Sequence, residues 1–212
     1  MPNPNVKRNP STPKYGYNTT ANRYVSLKTG KFIPRQTIKS LTTRQVTKSR
    51  NTMLGLAEQL KAKTISVADY RAATMQQLKV LHVSQATAAK GGWAQMTQAS
   101  YGQVGGRLRY QYNRFNNMIG QIESGKQKLD GRFMQRVQMY ANAGRATFAE
   151  SERAAMDERG MKQERRMMHG SEHCDGCIEQ AAKGWQPLGT LPPIGSQQCR
   201  TNCLCDMIYR VG

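Results

Sequence analysis

All five cysteines of this 212-residue chain fall between Cys174 and Cys205. They read Cys174-x-x-Cys177, then a long interval, then Cys199-x-x-x-Cys203-x-Cys205. Thiolates two or three positions apart can grip one face of a tetrahedral ion at about 2.3 Å, and a second cluster closes the other face. The interval carries Gly184, Gly189, Gly195, Pro187, Pro192 and Pro193, which are turn formers. A short loop-rich segment needs a staple, and structural zinc is the expected one. An odd cysteine count and no signal-like apolar stretch speak against disulfides. Redox chemistry at Cys174-x-x-Cys177 lacks the flanking βαβ pattern. The expected metal ligands are drawn from Cys174, Cys177, Cys199, Cys203 and Cys205, the first two joined by two of the last three. Neighbouring His173 is expected to point away. Trp185, Leu188, Leu191, Pro192 and Pro193 are expected to cover the site, and Met207, Ile208 and Tyr209 to form a closing strand.

Charge is the second constraint. The formal net charge is +19, and no acidic residue precedes Glu58. Lys7, Arg8, Lys14, Arg23, Lys28, Lys31 and Arg35 crowd the start of the chain. Such a field favours a polyanion, since every phosphate neutralised releases counterions. These residues are the expected contacts to nucleic acid or to an acidic protein surface; a solvated basic tail is the alternative. No run approaches the length of a membrane span. The chain is therefore expected in the cytoplasm or in something assembled there.

Periodicity sets the architecture. Residues 1–34 carry five prolines and read as an extended basic arm, with Tyr15, Tyr17, Tyr24, Leu27, Phe32 and Ile33 as spaced anchors. Residues 35–166 read as a helical hairpin or bundle without a convincing strand. One helix spans about 36–62. A second starts at the capping pattern Ser66-x-x-Asp69 and ends at Gly91-Gly92. A third is capped by Thr97, with the stripe Val104, Leu108, Tyr112, Phe115, Ile119 and Ile122. A fourth carries Phe133, Val137, Tyr140, Gly144 and Phe148 and runs on to Arg166. Gly105-Gly106 inside the third helix predicts a close helix crossing or a kink. Residues 167–212 form the cysteine module. The expected fold class is thus mainly α: an arm, a helical bundle and a small zinc-stapled C-terminal module.

No catalytic pattern emerges, and the chain is not expected to be an enzyme. His82, His169 and His173 form no HExxH arrangement, and no Gly-rich loop ends in Gly-Lys-Ser/Thr. His82 is expected at the surface or half-buried.

The run His173-Cys174-Asp175-Gly176-Cys177, then Lys183 through Pro193, then Cys199 and Asn202-Cys203-Leu204-Cys205 with Tyr209-Arg210, resembles the C-terminal end of phage minor head proteins. These are head-morphogenesis proteins similar to protein F of phage Mu. Cys199 stands near the place where many members carry a histidine, so the swap keeps a metal ligand. More loosely, Arg23 through Phe32, Gly91-Gly92-Trp93 and Gly105-Gly106-Arg107-Leu108 resemble stretches of small phage structural proteins sharing this ending. The close resemblance covers about forty residues. It implies a virion component assembled in the host cytoplasm, present in several copies, acting in head assembly at the portal or inner capsid surface. Its partners would be capsid and portal proteins and packaged DNA. The alternative is a zinc-stapled nucleic-acid-binding protein or regulator. A thiol oxidoreductase is a third reading.

Overall fold

The helices start and stop where local chemistry dictates. In the computed structural model, which describes residues 6–8, 14–170 and 172–212, α1 (Arg35–Lys61) begins directly after Pro34. Before α2 (Val67–Lys90), Ser66 Oγ accepts the Asp69 N–H at 3.0 Å and donates to the Asp69 carboxylate at 2.6 Å. Thr97 and Ser100 form a reciprocal capping box on α3 (Gln98–Glu123). Asp130 caps α4 (Gly131–Asn142) by accepting the N–H groups of Arg132 and Phe133.

The expected fourth helix is in fact two. Its direction changes at Ala143, and α5 (Gly144–Glu158) ends well before Arg166. Charge mixing after Glu150 suits an exposed helix end, but Gly160, with φ +78°, breaks it. The chain then enters β4 (Gln163–Met167). The sheet of the cysteine module therefore starts ahead of the boundary drawn at residue 167.

Helix α2 packs against α1, α3 and α5, and α4 packs on α1. The core holds Val46, Met53 and Leu60 from α1, Tyr70, Leu78 and Leu81 from α2, Phe115 and Ile119 from α3, and Phe133 and Val137 from α4. Tyr70 sits between Phe115 and Phe133, with ring centroids 5.8 and 5.9 Å away. Close helix approach occurs at Gly144, where a Cβ would stand 3.0 Å from Leu81. Gly105 and Gly106 face open space within a continuous helix, so the expected close crossing is not there.

His82 corrects the expectation of a surface residue. It is fully buried, with Nδ1 2.6 Å from Thr147 Oγ1, and joins α2 to α5. Burial, with Arg107 nearby, lowers its pKa to about 4, so the ring is neutral at pH 7.

The expected extended arm is also corrected. β1 (Val6–Arg8), β2 (Tyr15–Asn18) and β3 (Arg23–Ser26) form an antiparallel sheet in that order, with Tyr17 opposite Tyr24. Pro2, Pro4, Pro10 and Pro13 lie outside the described residues. Tyr17 and Val25 are buried, whereas Leu27 and Phe32 are exposed. Tyr24 donates its hydroxyl to the Ala88 carbonyl at 2.9 Å and packs near Ile38 and Phe148. Gly91 closes α2 at φ +108°, and a Cβ there would run into the Tyr17 ring. One glycine thus serves the helix end and the seat of the sheet.

At the other end, β4 is flanked by β5 (Gln186–Pro187) and β6 (Asp206–Arg210), both antiparallel to it. The closing strand expected at Met207–Tyr209 is β6. A short helix, α6 (Asp175–Ala182), follows Cys174 within the module. No helix among the described residues is long and apolar enough to cross a membrane.

Candidate metal centre

The two cysteine clusters meet. Cys174 ends the loop ahead of α6 and Cys177 lies in its first turn. Cys199 leads into the 3-10 turn Arg200–Asn202, which ends at Cys203, and Cys205 directly precedes β6. The sulfurs of Cys174, Cys177 and Cys199 all lie within 4.8 Å of one another, as do those of Cys177, Cys203 and Cys205. Cys177 belongs to both triads and is the centre of the cluster. Its Sγ stands 3.6 Å from that of Cys199 and 3.8 Å from that of Cys203. An edge of a tetrahedron with metal–sulfur bonds near 2.3 Å is about 3.8 Å. The cysteines thus lie close enough to chelate a metal ion.

All five are free thiols. Burial pushes the Cys177 thiol well up, reinforced by Cys174 and Cys199, and takes Cys199 to about 12. At Cys174 burial also opposes ionisation, but the backbone N–H groups of Cys199 and Cys177 outweigh it and bring the pKa to about 7. At Cys203 burial is outweighed by the Cys205 backbone N–H, and the pKa falls below the usual thiol value. Several thiolates this close repel one another, and a divalent cation removes that obstacle.

Arg166 is the residue that sequence reading missed. It lies in β4, is 1% exposed, and makes no carboxylate ion pair among the described residues. Its Nη1 points at Cys177 Sγ, 3.7 Å away, and its Nη2 donates to the Pro192 carbonyl. A buried cation without a counter-charge is strongly destabilising. A thiolate cluster on a divalent ion carries the net negative charge that Arg166 lacks elsewhere. The only signal in the sequence was the basic pair Arg165-Arg166, which reads as a solvated helix end. Strand alternation instead sends Arg165 out and Arg166 in.

His173 lies beside the cluster but belongs to neither sulfur triad. Its Nδ1 stands 4.0 Å from Cys205 Sγ, and its Nε2 lies 3.2 Å from the Gly170 carbonyl. The five cysteines nominated by the sequence are the ones brought together.

Apolar side chains pack against the cluster. Leu191, Ile194 and Met207 pack on the cysteines. Of the expected covering loop, Leu191 is buried there, while Trp185 instead lies under Arg210, whose guanidinium carbon is 4.3 Å from the ring centroid. Glu164, fully buried, pairs with Arg153 and accepts the Leu191 N–H at 2.9 Å.

The basic residues divide. Arg35 is not free for a partner: it pairs with Glu152 and Asp206 and donates to the Met207 carbonyl, which ties α1 to α5 and β6. Burial raises the Asp206 carboxyl, but Arg35 and Lys39 outweigh it and hold the pKa below the usual range. Lys14, Lys28 and Lys31 are exposed; Leu27 N–H meets the Lys14 carbonyl and Ser26 N–H meets that of Lys31. Arg23 is exposed over the Phe32 ring at 4.5 Å. Lys7 and Arg8 are in β1, and their side chains lie outside the described residues.

Comparison with protein-family models, with curated proteins and with solved structures finds no match for the chain.

Proposed function

We propose that the chain is a phage virion structural protein, a minor head protein acting in head assembly at the portal or inner capsid surface. In this reading one structural zinc ion closes the C-terminal module, and the exposed N-terminal lysines contact packaged DNA or an acidic capsid surface. The observation that carries the proposal is the cysteine ending itself. Its residues, from His173 to Arg210, resemble the ending of minor head proteins, and the fold gathers the same cysteines into one cluster. Zinc is favoured over other ions by the soft sulfur donors and their spacing. A module fastened by metal and by the Arg35–Asp206 pair is a rigid knob for docking. No catalytic role is proposed.

The test is the composition of purified phage particles. The proposal predicts the chain in fixed stoichiometry to the portal or major capsid protein. Its absence from mature particles, with DNA packaging intact in a deletion strain, contradicts it. The second reading, a zinc-stapled regulator, draws on the same basic charge and predicts sequence-selective DNA binding instead.

A further inference from the structure

A groove of about 650 Å³ runs between α3, the α4–α5 corner and the loop of the cysteine module, and no acidic residue lines it. Four arginines do: Arg107, Arg114, Arg136 and Arg200. Arg107 is held by Glu150 at 2.7 Å, but its buried Nε has no partner. Arg136 reaches only neutral oxygens, those of Gln121 and Gln127 at 2.7 and 2.6 Å. Arg114 lies over the Tyr110 ring, 5.6 Å from its centroid, and donates to the Tyr110 hydroxyl at 3.2 Å. Arg200 is exposed and holds a left-handed backbone, φ +47°. A second unpartnered buried atom, Thr201 Oγ1, belongs to the same lining.

Tyr110 decides the kind of anion. It is 52% exposed, the most exposed tyrosine among the large hydrophobic side chains, and offers a ring beside the guanidiniums. We propose that this groove binds single-stranded nucleic acid, one unstacked base lying on Tyr110 and the flanking phosphates on Arg114, Arg136 and Arg200. Aromatic rings beside basic side chains are how unpaired strands are held, because every base has a π-face. A duplex hides those faces within its stack and cannot use Tyr110. The inference is independent of the virion role and of the N-terminal lysines.

Fluorescence anisotropy of a labelled oligothymidylate, titrated with the full chain, tests it. A duplex of equal length serves as competitor. The single strand is expected to bind more tightly than the duplex. Tyr110→Ala should weaken it about fivefold or more, and Tyr110→Phe should retain binding. Arg114→Ala should weaken it and flatten the salt slope by about 0.7. Both side chains are exposed, so these variants keep the fold, which circular dichroism checks. Unchanged binding in Tyr110→Ala and Arg114→Ala overturns the proposal. So does duplex binding as tight as that of the single strand, or no binding at all. Loss confined to Lys28→Gln with Lys31→Gln moves the contact to the N-terminal sheet and also overturns it.

Discussion

Replacing Arg166 by methionine separates a metal-bound cluster from a group of neutral thiols by the sign of its effect. Methionine approximates the volume of the arginine stem and leaves no charge behind. If the cysteines are thiolates on a divalent ion, the substitution removes a fully buried cation facing them, 3.7 Å from Cys177 Sγ. Partners of this kind are worth about 10- to 100-fold in metal affinity, or roughly 1.4–2.7 kcal/mol. For a chain of this length about 2 kcal/mol lowers Tm by roughly 4–8 °C. If the thiols are neutral, Arg166 is a buried charge without a counter-ion, and an apolar replacement is neutral or stabilising. Zinc competition against a chromophoric chelator reads the first quantity, and thermal melting reads the second. The expected result is weaker zinc binding and a lower Tm in the metal-loaded variant, with the Tm difference vanishing or reversing after chelation. A higher Tm with zinc present, or unchanged zinc affinity, refutes the reasoning.

Four further substitutions test the fold. Gly91→Ala forces a side chain into left-handed backbone and against Tyr17, and should cost about 2–3 kcal/mol in urea unfolding; a loss under 0.5 kcal/mol contradicts the close approach. Gly105→Ala and Gly106→Ala, in open space on α3, should each stabilise by roughly 0.5–1 kcal/mol, and destabilisation would point to a neighbour on that face. His82 has a folded pKa of about 4 against 6.5 for the free side chain, so the unfolded chain takes up its proton first. Stability is therefore lost as pH falls from about 6.5 towards 4, with roughly 3 kcal/mol at stake. His82→Gln should reduce that loss, and an unchanged pH profile of unfolding would show that the ring is protonated in the fold.

Much of the helical region was legible in the sequence because its signals are local. Ser66, Thr97 and Gly91 act within one turn of themselves, and the stripe through Phe115 repeats at helical spacing. What escaped was non-local. Tyr17 and Tyr24 look like strap residues until α2 supplies the surface they pack on. His82 looks polar until Thr147, 65 residues away, supplies its partner. Arg165 and Arg166 sit among mixed charges and imitate a helix end, although β6 makes them part of a sheet. At the site, spacing was enough to nominate the five cysteines, since ligand geometry is partly local. It could not reveal that Cys177 lies at the centre, because Cys199 and Cys203 approach it through the fold.

The most direct measurement is the metal content of the chain purified under reducing conditions, by native mass spectrometry and elemental analysis, beside Cys177→Ser. One zinc per chain is expected in the parent, held against dialysis. The variant should lose it, because Cys177 takes part in both sulfur triads. A folded parent with no bound metal, or a Cys177→Ser protein that keeps a full equivalent, contradicts the account.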